Sequence, residues 1–192
     1  MMGDVVHIVM SEVKMNILQW QKQMLYVRNE MCKLDVKQIY HYYAPNNGCS
    51  LKEISKVEDC LGIKFDNQYK EFLQYVNGWK ECYRSVSFLG TKELLASKEM
   101  DMAKEILEIE CSLDEQLGFR KEELLPIAVD EYGSDLFVLT PSVNGKNGMV
   151  IWFAGGEIER FPSFEVFRDT ILQYINNELN EDFKSHNLSD LK

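Results

Sequence analysis

The chain has 192 residues, 45% of them hydrophobic and 27% charged, a balance that suits one sizeable soluble domain with a buried core rather than a disordered or fibrous chain. Its net charge of −10 leaves no basic stripe for the phosphate neutralisation that dominates nucleic-acid affinity, so no nucleic acid is expected as a partner. No apolar run approaches the ~20 residues of a membrane span, and the start, Met-Met-Gly-Asp, lacks the basic region of a secretory signal, so a cytoplasmic protein is expected.

Val13, Ile17, Trp20, Met24, Val27 and Met31 recur at near-helical spacing and predict a helix within residues 1–34, an extension packed on the main domain. Its default role is to close the same core, since periodic stripes usually pack within their own domain; an accessory or dimer contact is the other reading. Ser50 with Glu53 three residues on reads as a capping box. Behind it Leu51, Ile54, Val57 and Leu61 form one stripe, which Gly62 closes with a left-handed residue. Asp66 is the expected N-cap of a further helix, with Tyr69, Phe72, Leu73 and Val76 on its buried face and Asn77-Gly78 as its stop.

Val86-Ser87-Phe88 begins an alternating strand. Met102, Ile106, Ile109 and Leu113 then predict a helix with a neighbouring acidic edge of Asp101, Glu105, Glu108 and Glu115. Pro126 to Val129, the polar run from Asp130 to Asp135, and Leu136 to Leu139 read as a hairpin. Pro141 ends that strand, Asn144-Gly145 and Asn147-Gly148 offer turns needing positive φ, and Met149 to Phe153 lead through Gly155-Gly156 to Ile158 and Phe161. Ser163 caps a last helix with Phe164, Phe167, Ile171, Tyr174 and Ile175 on one face. The expected fold class is α+β, a central antiparallel sheet flanked by helices over residues 35–180, with an extra N-terminal helix and a polar tail at 181–192 that frays.

The acidity is concentrated. Residues 1–92 carry a net +2 and residues 136–192 a net −3, while residues 93–135 hold 13 acids against four bases, a net −9. A solvated helix face is the ordinary explanation; a docking edge for a basic partner is the sharper one, because complementary fields accelerate encounter. Chemistry is otherwise sparse. Cys32, Cys49, Cys60, Cys82 and Cys111 are odd in number and contain no C-x-x-C pair, which points to reduced thiols rather than disulfides or zinc. His7, His41 and His186 are scattered, and no nucleophile elbow, phosphate loop, dinucleotide fingerprint or H-E-x-x-H motif is present, so no catalytic residue, cofactor or metal is expected. Asp130, Glu131 and Asp135 lack calcium-loop spacing and read as a polar turn; a small metal-dependent hydrolase using Asp130 and Asp135 is the remote alternative.

Several of these anchors occur together in one order: Ile54 and Glu58 as I-x-x-x-E, Leu61-Gly62-Ile63, Tyr69-Lys70-x-Phe72-Leu73, Asn77-Gly78, Phe88-Leu89-Gly90 with Glu93-Leu94, and Ser163-Phe164-Glu165 with Phe167. In this it resembles the SUKH superfamily (Smi/Knr-like) over residues 35 to 178, with Trp79 where a glycine often follows Asn-Gly. The resemblance implies a structural motif of Glu58, Gly62, Asn77 and Gly78, with Glu58 bonding backbone near Asn77-Gly78, and no catalytic group. It further implies a protein partner: as an immunity protein, a polymorphic or contact-delivered toxin domain, often a basic nuclease; as an intracellular regulatory or scaffold module, an endogenous protein. Because aromatics beside acids resemble interface hot spots, Trp79, Glu81 and Tyr83, with Asp130, Glu131, Tyr132 and Asp135 at the hairpin, are the candidate contacts. Oligomeric state is not legible.

Overall fold

The computed structural model describes residues 15–113 and 118–189, with the backbone alone for Ser112, Leu113 and 182–189. Val13, His7, Glu115, the side chains of Leu113 and His186, and residues 190–192 therefore lie outside the described residues. The elements run α1 (Ile17–Leu34), α2 (Leu51–Leu61), α3 (Asn67–Tyr75), β1 (Trp79–Tyr83), β2 (Val86–Phe88), α4 (Thr91–Leu95), α5 (Lys98–Leu113), β3 (Leu125–Asp130), β4 (Leu136–Leu139), β5 (Val150–Phe153), β6 (Glu157–Phe161) and α6 (Phe164–Ser189). The six strands form one antiparallel sheet in sequence order, interrupted once by α4, α5 and a 3-10 turn between β2 and β3. The α+β class and the added N-terminal helix are both as the sequence indicates.

The local signals act as their chemistry requires. Ser50 Oγ accepts from Glu53 N while Glu53 returns its carboxylate to Ser50 N at 2.8 Å, and Gly62 closes α2 at φ +68°. Asp66 accepts from Gln68 N at 2.8 Å and starts α3. The same buried carboxylate also accepts from Ser142 Oγ at 2.6 Å and Gly148 N at 3.0 Å, tying the α3 cap to the β4–β5 loop. Asn144-Gly145 takes the expected positive φ values, 53° and 74°. Gly148 does not; a Cβ there would lie 2.1 Å from Thr140 O, so its glycine is a matter of close approach.

Phe88, Ala128 and Phe137 occupy matching positions on β2, β3 and β4, and the rings of Phe88 and Phe137 meet Phe167 of α6, which places α1, α3 and α6 on that face. Val129, Leu136 and Val138 point to the opposite face, where α5 packs on β3 and β4. With both faces covered, β3 and β4 are buried throughout. α1 belongs to this core. Trp20 is fully buried, lies edge-on to Phe72 at 5.6 Å, and donates its indole N–H to Arg168 O at 2.9 Å. Arg28, also buried, donates to Cys82 O at 2.8 Å and His41 O at 3.1 Å.

Two sequence expectations need correction. Leu51 is 59% exposed, and the buried face of α2 is Ile54, Val57 and Glu58. On α5 the buried positions are Met100, Ala103, Leu107 and Glu110; Met102 and Ile106 flank them and Ile109 is exposed, so the helix is rotated from the stripe read in the sequence. Small Ala103 gives only a weak hydropathy signal, and Glu110 tolerates burial because its carboxylate accepts Gly155 N at 3.0 Å in the β5–β6 turn. The helix backbone of α6 continues to Ser189, through most of the polar stretch 181–192.

Glu58 does not reach Asn77-Gly78. Its carboxylate accepts from Phe65 N at 2.7 Å and pairs with Lys70 at 2.8 Å, fixing the α2–α3 turn. Asn77 and Gly78 make a separate clamp: Asn77 Oδ1 accepts Thr91 N and Asn77 Nδ2 donates to Thr91 Oγ1, both at 2.8 Å. There Gly78 has φ +90° and a Cβ on Gly90 would fall 2.2 Å from Asn77 O.

Trp20→Ala should lower unfolding free energy by about 3 to 5 kcal/mol in urea titration, since it empties a fully buried site; an unaltered midpoint would make α1 an appendage. Burial acts to raise the Glu58 pKa, but the Lys70 and Phe65 hydrogen bonds outweigh it and hold the carboxyl below its ordinary 4.5. A depressed folded-state pKa contributes stability above the unfolded value that disappears as pH falls through the folded one. The stability advantage of the native protein over Glu58→Gln should accordingly be full near neutrality and shrink progressively in acid below 4.5.

Candidate interaction surface

The candidate contacts named from sequence divide sharply by burial. Trp79 is 1% exposed: it is a core residue, edge-on to Trp20 and donating its indole N–H to Tyr43 O at 2.7 Å. The surface role expected for it is therefore corrected. Arg28 lies over the same ring, which gives the buried guanidinium an aromatic neighbour.

Glu81 is also buried and faces His41, Oε2 to Nδ1 at 3.0 Å. It sits at φ +47° in the irregular register of β1, with its own N–H donating to Ser87 Oγ. A side-chain-bearing residue in that region marks a bulge that turns the strand and re-aims its neighbours. Tyr83 is half-buried; burial first, and the nearby Glu178 carboxylate second, push its phenol up to about 12, and its O–H donates to Glu178 at 3.2 Å. Trp79, Glu81 and Tyr83 thus organise β1 rather than present a flat contact area.

The hairpin behaves differently. Asp130 is 2% exposed and spends its carboxylate inside the turn, accepting from Ser134 N at 2.6 Å, Ser134 Oγ at 2.8 Å and Asp135 N at 3.1 Å. This is the side-chain mimicry of a backbone turn that favours aspartate at such positions. Asp135 in turn accepts the indole N–H of Trp152 at 2.7 Å. With both carboxylates occupied by the fold, the turn holds Glu131 and Tyr132 outward, and Tyr132 is 80% exposed.

The tip rests on α5. Gly133 has φ +74°, and a Cβ there would lie 3.3 Å from Met102 Sδ and 3.7 Å from Ile106 Cδ1. Hairpin and helix therefore form one continuous exterior. Across the outer side of α5 run Asp101, Glu105 and Glu108, all exposed, together with Ile109 at 59% exposure. Glu108 is ion-paired with Lys121, whereas Asp101 and Glu105 form no ion pair among the described residues, and Glu115 lies outside them. Sequence reading missed Ile109 as a surface residue because it assigned that side chain to the core; the available signal was the competing stripe of Met100, Ala103 and Leu107 at i, i+3 and i+7 on the true buried face.

Between the hairpin, the first turns of α5 and the face of β1–β2 lies an open groove of about 490 Å³. Lys80, Glu81, Lys98, Glu99, Met102 and Glu131 are among its walls, so charges of both signs line it beside apolar side chains. Among the described residues no group of three His, Cys, Asp or Glu side chains is arranged to hold a metal ion. Nor is any helix among them long and apolar enough to cross a membrane. What the surface offers is shape and charge: a projecting tyrosine, an exposed isoleucine and an acidic ridge, carried on a turn and a helix anchored to the sheet.

Two comparisons with known proteins bear on this arrangement. No curated protein matches the chain. Among protein-family models, that of the SMI1 / KNR4 family (SUKH-1) matches residues 48–172, from the loop before α2 to Leu172 in the first half of α6. The match takes in the whole six-stranded sheet, the Asn77 clamp, the projecting hairpin and α5, and leaves α1 outside it. Since that span is well over half of the chain, the protein belongs to the SMI1 / KNR4 family (SUKH-1), a membership that fits a binding role.

Proposed function

We propose that this chain is a non-catalytic immunity protein that binds a cognate basic toxin domain, such as a nuclease, and blocks it by occupying its working face. The observation that carries the reading is the continuous exterior of Tyr132, Glu131, Ile109 and the Asp101–Glu105 edge, in a segment whose net charge is −9. An exposed aromatic carried beside exposed acids suits a partner with a basic cleft, where the ring supplies buried area and the charges supply speed and orientation. Held on a fixed turn and a core-packed helix, these groups lose little freedom on binding, which favours affinity. In this reading Trp79, Glu81, Asp130 and Asp135 act indirectly, by holding the shape of the surface, and the protein works in the cytoplasm of the cell that must be protected.

The resemblance to regulatory members keeps an endogenous partner as the competing case. Expression of the chain with the toxin domain encoded beside it should restore growth of the host and yield a stoichiometric complex; no rescue, with capture of a resident protein instead, would move the assignment to a scaffold module. Tyr132→Ala should weaken that complex by more than about tenfold, because a projecting aromatic at an interface centre is where binding energy concentrates. Glu105→Lys should mainly slow association and reduce its dependence on salt, as expected for a steering charge. Unchanged affinity in both variants would remove this surface from the interface.

A further inference from the structure

Asparagine followed by glycine is the pairing in which a backbone nitrogen most easily reaches the preceding side-chain amide, because glycine places no side chain in the way. The chain contains four such pairs, at 47–48, 77–78, 144–145 and 147–148. Their sequences are alike at the reacting atoms, so any difference between them comes from the fold.

Three are restrained. Asn47 forms a bridge with Val76, and a Cβ on Gly48 would fall 1.9 Å from Gln74 O, so the main chain there is pressed against α3. Asn77 has both ends of its amide bonded to Thr91 at 2.8 Å. In the pair at 147–148 the attacking atom itself is engaged: Gly148 is buried and its N–H donates to Asp66 Oδ2 at 3.0 Å. The fourth pair stands apart. Asn144 and Gly145 are exposed at the tip of the β4–β5 loop, and nothing lies within 4 Å of a Cβ placed on Gly145. The turn is closed by Val143 N to Lys146 O and Lys146 N to Val143 O, neither of which uses the Gly145 nitrogen. Asn144 is at φ +53°, the left-handed conformation that an Asn-Gly hairpin turn uses, so the pair is held by those two backbone bonds with no packing around Gly145.

We propose that Asn144 is a self-modification site, at which the folded protein converts one amide into a carboxylate with only water as co-reactant. Rotation about the Asn144 Cα–C bond brings Gly145 N to Asn144 Cγ. The new N–Cγ bond forms as the Cγ–Nδ2 bond breaks; the Gly145 amide gives up its proton, and Nδ2 leaves as ammonia. Water then opens the cyclic imide at one of its two carbonyls, giving aspartate or isoaspartate. Nothing is oxidised or reduced. The product carries one more negative charge, and the isoaspartyl form also inserts a methylene into the main chain of a two-residue turn. The change falls in the loop that supplies Ser142 and Gly148 to Asp66, at the end of β4 opposite the Tyr132 hairpin. It is therefore independent of the proposed toxin surface.

The test is to age the full native chain in mildly alkaline buffer and follow all four asparagines by peptide mass spectrometry, beside the same chain in urea. Native protein should convert Asn144 at least about tenfold faster than each of the other three, since these must first open locally. In urea the four rates should draw together. Asn144→Gln should abolish the acidic species that accumulates on native isoelectric focusing, and Gly145→Ala should slow its appearance. Faster conversion at Asn47, Asn77 or Asn147, equal native rates, or the same rank order in urea would overturn the proposal.

Discussion

The interlocking of aromatic rings between the helices and one face of the sheet is the constraint on which the remaining structure depends. Phe167 of α6 lies within 5.6 Å of Phe88, Phe137 and Phe161, which come from three different strands. Phe72 of α3 touches Phe88, Phe164 and Trp20 at 5.8 Å or less. Each ring thus belongs to several elements at once, and edge-to-face contacts add direction to a burial that is otherwise non-directional. α1 joins through Trp20, which also donates to the backbone of α6, so the helix outside the family match is a structural part of the same core.

Around that core, buried polar groups set the joints between elements. Asp66 links the start of α3 to the β4–β5 loop, Asn77 and Thr91 lock the end of α3 to the exit from β2, Glu58 secures the α2–α3 turn, and Glu110 holds the β5–β6 turn against α5. Each carboxylate or amide is satisfied by backbone N–H groups, by a hydroxyl or by a nearby cation. An unpaired polar group in those places would cost more than the bond contributes, so these joints specify geometry as much as they stabilise it.

The division of labour among the acids follows from the same accounting. Some of the most suggestive residues in the sequence, Glu81 and Asp130 above all, are buried and hold strand or turn, whereas the less conspicuous Asp101, Glu105 and Glu131 remain in water. An acid whose oxygens are filled by the fold cannot supply a strong new contact. One that is solvated on a rigid support retains its charge for a partner. The exposed surface of hairpin and α5 is therefore the part of the acidic segment that remains available for recognition.

Capping and turn chemistry were legible from sequence because they are local: Ser50 with Glu53, Gly62, Asp66 and Asn144-Gly145 act through atoms a few residues apart. The hairpin and closing helix were legible because their periodicity is strong, and the ordered family motifs identified the fold. Which face of a residue meets solvent was less accessible. Trp79 reads as an exposed aromatic after a turn until Trp20, Arg28 and Tyr43 arrive from 36 or more positions earlier to enclose it. The phase of α5 turned on an alanine that hydropathy marks only weakly and a glutamate whose partner is 45 residues away. Sequence alone determined most of the elements, their order and the caps that start α2 and α3, since those depend on short-range sterics and hydrogen bonding; only the tertiary structure added β1 and α4 and decided which acids are joints and which are surface, because burial is a property of what distant segments bring to the same place.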